Sequence, residues 1–170
     1  MTKREYYEKY CLSDARPLNP VKIVTPAVDF ADALAFFINE YFRGAAGAQI
    51  RIFSGDNVLV NLEYTAFFIK NLLTAIFGRT YVEFIFREAK DGIVLEIRAS
   101  SPLPLTYEET NAAIKDARNA GFDVKLTEYG FLLSLDFRDA ATYRVYATER
   151  ITSRRALVGK FCEICFKNLK

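Results

Sequence analysis

A pair of cysteines with the spacing of a metal or redox motif is the first candidate for chemistry in this sequence. Cys162 and Cys165 are separated by two residues, and the only other cysteine is Cys11. A structural zinc site takes four ligands, usually cysteine and histidine, and a redox pair normally opens a helix after a strand. The sequence contains no histidine, and the pair lies inside a helical pattern near the C-terminus. We therefore expect ordinary reduced thiols and no metal site.

Other catalytic constellations are missing from the sequence. The lack of histidine excludes Ser–His and Cys–His nucleophilic catalysis within this chain. Neither a phosphate-binding loop motif nor a dinucleotide-binding glycine motif occurs. Glu108 and Glu109 are adjacent carboxylates, but they fall at a predicted helix start, where acidic side chains complement the helix dipole. We expect no catalytic residues, and we do not expect the chain to be an enzyme on its own.

Composition and charge indicate one globular domain with a basic C-terminal part. The chain has 170 residues, 51% of them hydrophobic, which is enough for a sizeable core. Its net charge is +2, but the segment from Arg138 to the end has eight basic and three acidic residues, a net charge of +5. The remainder is therefore at −3. Such an excess is typical of a solvated helix face, with contact to an acidic partner or a membrane surface as the alternative.

Nothing in the sequence predicts export or a membrane span. The N-terminus is charged and aromatic, unlike a signal peptide. The longest apolar run, Tyr64–Phe77, is shorter than the roughly 18 residues that a span needs, and it contains Lys70 and Asn71. We expect a cytoplasmic protein with no membrane-spanning segment.

Apolar spacing and turn residues predict an alternation of helices and paired strands. The first half contains a helix from about Ala27 to Gly44 with Thr25 as N-cap, strands at Ala48–Ser54 and Val58–Val60, and a buried helix at Leu62–Phe77 capped by Asn61. The second half contains a hairpin of Tyr81–Glu88 and Ile93–Ala99, a helix between the capping box Thr106–Glu109 and Gly121, a hairpin of Phe122–Leu126 and Phe131–Phe137, a strand at Tyr143–Ala147, and a helix from about Ser153.

This order predicts an α+β protein, a two-layer sandwich with helices on one face of a mixed, mainly antiparallel sheet. We expect an irregular segment at residues 1–20, the domain at residues 21–150, and a basic helix at residues 151–170 that packs on the domain or extends it. An apolar stripe in that helix, formed by Leu157, Phe161, Ile164 and Leu169, is expected to pack on the chain's own body or in a homodimer.

The buried helix carries a resemblance to a known family. The segment Asn71–Ala75 reads Asn-Leu-Leu-Thr-Ala and resembles the asparagine box, Asn-Leu-Leu-x-Asn-Ala, in the ATP-binding domain of sensor histidine kinases. That superfamily includes the gyrase-type and mismatch-repair ATPases. The predicted element order over Val24–Phe137 is similar to that of this domain. The resemblance implies a histidine-kinase-type ATPase fold and a nucleotide site beside the buried helix.

The resemblance also implies which residues stand at the ATP site. The family's metal-binding asparagine is assigned to Thr74, and its adenine-reading aspartate to Ala99. Its Asp-x-Gly-x-Gly signature falls on residues 99–103, with Ser101 and Leu103 at the two glycine positions, and Asn71 matches the start of the asparagine box. A lost hydrogen bond to a charged acceptor costs about 1.5–3 kcal/mol. With a lost metal ligand, the affinity falls on the order of a thousandfold or more.

We therefore expect a non-catalytic version of this domain that has lost ATP binding, uses no cofactor, and acts in signalling or protein interaction, with a protein partner or a second copy of itself. The first alternative is a functional ATP-binding domain with Mg²⁺ and atypical ligands. We rank a nucleic-acid-binding regulator last; its signal is the aromatic and basic residues interleaved between Tyr143 and Arg155.

Overall fold

Turn residues and apolar periodicity divide the chain into the elements of an α+β fold. The computed structural model describes residues 22–143 and 153–166. Strands in this part of the chain are β1 (Ile23–Pro26), β2 (Ala46–Arg51), β3 (Asn57–Val60), β4 (Val82–Ala89), β5 (Gly92–Arg98), β6 (Asp123–Thr127) and β7 (Gly130–Asp136). Helices are α1 (Ala27–Tyr41), α2 (Leu62–Ile76), α3 (Tyr107–Ala120), α4 (Phe137–Tyr143) and α5 (Arg154–Cys165).

The main sheet has five strands in the order β2-β4-β5-β7-β6. The β2–β4 pair is parallel and the other pairs are antiparallel, which confirms the predicted mixed, mainly antiparallel sheet. Because side chains alternate along a strand, Phe84, Ile97 and Phe131 lie in register on the buried face. The opposite face carries ion pairs, such as Arg98–Glu83 at 3.5 Å and Arg87–Glu96 at 3.6 Å. The sheet therefore has one apolar face and one charged face.

Helices cover the apolar face. Helix α2 is buried on most sides, as its apolar sequence predicts, and it packs on the sheet through the edge-to-face pair Phe68–Phe131, with ring centroids 6.3 Å apart. Helix α3 lies against α2, and α5 packs against both α1 and α2. The part of the apolar stripe of α5 that the structure describes is turned toward the protein, with Leu157 and Phe161 fully buried. Leu169 lies outside the described residues.

The first and third strands form a separate small sheet. The strand predicted at Val58–Val60 exists, but it pairs with β1 in antiparallel fashion and not with β2, which precedes it in the chain. The segment between these two strands therefore crosses from one sheet to the other, and β2 pairs instead with β4.

The predicted cap of the first helix is wrong. Thr25 is part of β1, fully buried, and its hydroxyl has no hydrogen-bond partner within residues 22–143 and 153–166. Pro26 occupies the N-cap position without a side-chain bond, and the amide of Ala27 is instead satisfied by the carbonyl of Asp56 at 2.8 Å. The helix also ends earlier than predicted, at Tyr41, because Phe42 leaves the helical conformation.

Caps built from neighbouring residues are confirmed. The Asn61 side chain accepts a hydrogen bond from the amide of Tyr64 at 2.8 Å and starts α2. Thr106 and Glu109 form the predicted capping box of α3, and Gly121 ends this helix with a φ of 113°. All three of these helix ends depend on residues within one helical turn, which is why the sequence predicts them.

The C-terminal part of the described chain contains one helix that the sequence analysis missed. Residues 137–143 form α4, whereas a strand was expected from Tyr143 onward. The rest of that expected strand lies outside the described residues. Helix α5 begins at Arg154, with the Ser153 side chain as its N-cap, as predicted. No helix in the described parts of the chain is long and apolar enough to cross a membrane.

Candidate binding cleft

A cleft of about 300 Å³ separates helices α2 and α3. It is lined by Asn71, Leu72, Thr74, Ala75, Leu105, Glu109, Ala112 and Ala113. Residues three and four apart in a helix share a face, so Asn71, Thr74 and Ala75 project together from α2. Glu109, Ala112 and Ala113 project together from α3 by the same spacing. The three alanines fill little of the space between the two helices, and this leaves the cleft open.

Polar groups in the cleft come from both helices. The Asn71 amide donates from Nδ2 to Oδ2 of Asp116 at 3.3 Å, which links α2 to α3. Glu109 accepts the backbone N–H of Thr106 at its Oε1 atom, 3.0 Å away. The Thr74 hydroxyl is shielded from solvent and has no hydrogen-bond partner in the part of the chain that the structure describes. Among the described residues that line the cleft, Glu109 carries the only charge. The cleft is thus apolar at its walls and rich in oxygen atoms.

The start of α3 is already occupied by the chain itself. A free helix N-terminus binds phosphate because its first amides lack partners and the helix dipole is positive there. In α3, the Thr106 hydroxyl accepts the amide of Glu109 at 3.1 Å, and the Glu109 carboxylate accepts the amide of Thr106. This arrangement supplies a negative charge of the protein's own at the position where an anion would bind.

The structure brings together only part of the predicted ATP site. Asn71 and Thr74 line the cleft. Ala99 instead lines a separate pocket of about 250 Å³ with Tyr81, Glu83, Arg98 and Ser100, and its amide donates to the carbonyl of Tyr129 at 3.1 Å.

The two residues at the predicted glycine positions are outside the cleft lining as well. Ser101 is exposed, and Leu103 is partly buried against the hydrophobic core. The loop that carries them turns tightly, since the carbonyl of Leu103 accepts the amide of Leu105 at 2.8 Å, and it is tied to the body of the protein because the carbonyl of Pro104 accepts a hydrogen bond from the Arg79 guanidinium at 3.4 Å. Of this loop, Leu105 is the residue that reaches the cleft.

The assignment of the metal-binding asparagine to Thr74 needs a correction of register. Counted strictly from Asn71, the pattern Asn-Leu-Leu-x-Asn sets the second asparagine at Ala75, with Thr74 at the variable position. Both residues line the cleft. Neither has a side-chain amide, so the conclusion drawn from the sequence, that the metal ligand is replaced, is the same in either register.

Glu109 and Ala112, which line the cleft, and Asp116, which accepts the Asn71 amide beside it, were not proposed as site residues from the sequence. The capping box predicts only a helix-start role for Glu109. Ala112 and Ala113 give α3 a face of small residues. Since small residues at helical spacing allow another helix to approach closely, this face could have predicted the packing of α3 on α2.

The two cysteines of the C-terminal motif are embedded in the helical layer. The Cys165 thiol is buried and donates to the carbonyl of Ala66 at 3.2 Å, and burial raises its pKa strongly. Burial also raises the pKa of the Cys162 thiol, which is partly buried and hydrogen-bonded to Tyr41. Both thiols are therefore neutral near pH 7, which makes them poor nucleophiles. In residues 22–143 and 153–166, no group of three or more acidic, cysteine or histidine side chains could hold a metal ion.

Comparison with known proteins adds no identification. No protein-family model matches the chain, and no curated protein sequence matches it.

Proposed function

We propose that the chain is a degenerate domain of the histidine-kinase ATPase type, which has lost nucleotide binding and acts in signalling through contact with another protein. The element order supports the proposal, since a buried helix with an asparagine-box-like segment precedes a hairpin, a loop, a helix and a second hairpin. The observation that carries it is the cleft between α2 and α3. It lies beside Asn71–Ala75, where the resemblance expects a nucleotide, yet the side chains around it are unsuited to one.

The chemistry of the cleft lining disfavours ATP. Its one charged lining residue, Glu109, repels phosphate, and the described lining offers no lysine or arginine to offset a triphosphate. The position of the adenine-reading aspartate is occupied by Ala99, and the loss of this acceptor costs about 1.5–3 kcal/mol. A magnesium ion would find no carboxamide at Thr74 or Ala75. The cleft therefore lacks the protein groups that would hold Mg²⁺, the adenine ring and the phosphates of ATP.

A thermal-shift titration with ATP and Mg²⁺ tests this proposal. A ligand that binds only the folded state stabilises it by about 2.7 kcal/mol when its concentration is a hundred times the dissociation constant. This stabilisation raises the melting temperature. We expect no change at millimolar ATP with Mg²⁺, relative to Mg²⁺ alone at the same ionic strength. A rise that increases with ATP concentration would contradict the proposal.

A second candidate function is ATP binding with atypical ligands. Thr74 favours it, because its hydroxyl has no partner in the structure and threonine hydroxyls bind Mg²⁺ at other phosphate sites. The amide oxygen of Asn71 is a further potential ligand in the same cleft. This function requires that ATP raises the melting temperature with Mg²⁺ and loses the effect when EDTA removes the metal. A histidine for phosphoryl transfer would then have to come from another protein, since this chain has none.

A further inference from the structure

We infer that the cleft between α2 and α3 receives an arginine side chain from a protein partner. The inference rests on the proposed function, since it names the kind of group that a protein partner would insert where the related ATPases bind a nucleotide. Four features of the cleft carry it: its unused hydrogen-bond acceptors, its negative charge, its apolar walls and its size.

The first feature is a set of oxygen atoms with capacity left over. Glu109 uses Oε1 for the Thr106 amide, and within the described residues its second oxygen has no protein donor. Asn71 uses its Nδ2 atom toward Asp116, so its Oδ1 atom remains available as an acceptor. The hydroxyl of Thr74, which is shielded from solvent, likewise has no hydrogen-bond partner among the described residues. The ligand that matches these oxygen atoms is a hydrogen-bond donor, because a ligand that offered only acceptor atoms would be repelled by them.

The second feature is charge. Glu109 lines the cleft, and Asp116 on the same face of α3 is held near it by the Asn71 amide. A cationic ligand gains from these carboxylates, whereas an anionic ligand loses. The geometry therefore selects a cation that donates several hydrogen bonds.

The third feature is the apolar wall, which distinguishes an arginine side chain from a free small cation. Leu72, Ala75 and Leu105 line the cleft together with Ala112 and Ala113. Arginine buries its methylene stem along apolar surface while its guanidinium donates in a planar fork to carboxylate oxygens. A volume of about 300 Å³ accommodates one such side chain.

A protein is the fitting source of the arginine. At protein interfaces an anchor side chain commonly fills a pocket on the partner, and arginine is one of the residue types that most often dominate the binding energy there.

The test is an NMR titration of the full chain with N-acetyl-arginine amide as the probe. Its neutral isostere, N-acetyl-citrulline amide, has nearly the same shape and most of the same donors but no charge. We expect saturable shifts at the methyl groups of Ala75, Ala112 and Ala113, with a dissociation constant on the order of 1 mM. The citrulline probe should bind at least about tenfold more weakly.

A matched pair of variants links the binding to Glu109. Glu109→Gln retains an oxygen for the capping box but removes the charge, so the helix start is kept. Glu108→Gln removes the neighbouring charge, which does not line the cleft. We expect Glu109→Gln to weaken the arginine probe about tenfold or more and Glu108→Gln to change it less than about threefold. A dispersed amide spectrum for each variant verifies folding.

Each outcome bears on one proposal. If the arginine and citrulline probes bind alike, or if neither shifts the cleft methyls, the inference is overturned. If the two variants weaken binding equally, the specific role of Glu109 is overturned. A titration of the same sample with ATP and Mg²⁺ separates the two proposals: shifts with ATP contradict the loss of nucleotide binding, whereas silence from both ligands removes only the arginine site.

Discussion

Two helix junctions in the same layer differ sharply in how they are filled. Where α1 meets α5, aromatic rings pack against one another: the ring of Phe37 lies 5.6 Å from that of Phe161 and 5.8 Å from that of Phe166, and Tyr41 lies 5.1 Å from Phe166. Where α2 meets α3, three alanines are among the residues that face the space between the helices, and a cleft of about 300 Å³ remains. The size of the side chains thus decides which junction is core and which is a potential site.

The filled junction also explains the basic C-terminal helix. The charges of α5 lie on its outer face, where Arg155 and Lys160 are exposed and Arg154 forms a 3.3 Å ion pair with Asp32 on α1. Its inner face contributes Phe161 and other buried residues to the core. The positive charge of this helix is accordingly a solvated surface on a structural element, which is the first of the interpretations that the sequence allowed.

The largest expected effect in this comparison comes from emptying the filled junction. Phe161→Ala removes a fully buried ring that contacts Phe37, and neighbouring rings can close the resulting cavity only in part. We expect the free energy of unfolding to fall by about 3–5 kcal/mol, measured by urea denaturation. Lys160→Ala, an exposed change one residue away, serves as control and should stay within about 0.5 kcal/mol. A loss below about 1 kcal/mol for Phe161→Ala would mean that α5 is not part of the core.

A pH effect of intermediate size should arise at the contact between α5 and α2. The folded state holds the Cys165 thiol neutral, with a pKa raised by burial, whereas the unfolded thiol titrates near its ordinary value of about 8.5. Because the folded state then binds more protons, the stability from this group is complete below about pH 8.5 and falls as the pH rises. We expect a loss of about 2 kcal/mol between pH 8 and pH 10.

The control for this effect is Cys165→Ala, measured by urea denaturation at both pH values. The variant is less stable throughout, because it loses a buried group and the bond to Ala66, but its stability should depend less on pH. If the two proteins lose the same stability between pH 8 and pH 10, another group causes the pH dependence and Cys165 is not buried in the folded state.

Local signals explain most of what the sequence predicted about the fold. Asn61, the Thr106–Glu109 box and Gly121 mark helix ends through contacts within one turn, so the residue types suffice. Thr25 failed because its environment is set by β3, a strand more than thirty residues away in the chain. Pairing of that strand with β1 outweighs the preference of threonine for a helix start.

The contrast between local signals and long-range packing also separates the two halves of the candidate site. Asn71 and Thr74 were found because one helix carries both, and their spacing alone puts them on one face. The residues opposite them, such as Glu109 and Ala112, depend on how α3 packs on α2, which is a tertiary property. Ala99 was assigned to the same site by resemblance, whereas the structure has it at a separate pocket.

The smallest expected effect compares two threonines of α2 that differ in whether the hydroxyl is hydrogen-bonded. The Thr65 hydroxyl is buried and donates to the carbonyl of Asn61 at 2.7 Å, whereas the Thr74 hydroxyl at the cleft has no partner among the described residues. Valine has the same shape and a similar helix propensity, so it removes only the hydroxyl. We expect Thr65→Val to cost about 1 kcal/mol and Thr74→Val to stabilise by about 1 kcal/mol, measured by urea denaturation.

The opposite signs are the decisive feature of this pair, because errors common to both substitutions cancel. A buried hydroxyl without a partner costs free energy in the folded protein, and functional sites are among the places where proteins carry such a cost. If Thr74→Val stabilises the protein and also weakens binding of the arginine probe, the Thr74 hydroxyl lowers the stability of the fold and contributes to binding in the cleft. If Thr74→Val instead destabilises the protein as Thr65→Val does, its hydroxyl has a partner in solution, and the cleft then has one binding group fewer than the structure indicates.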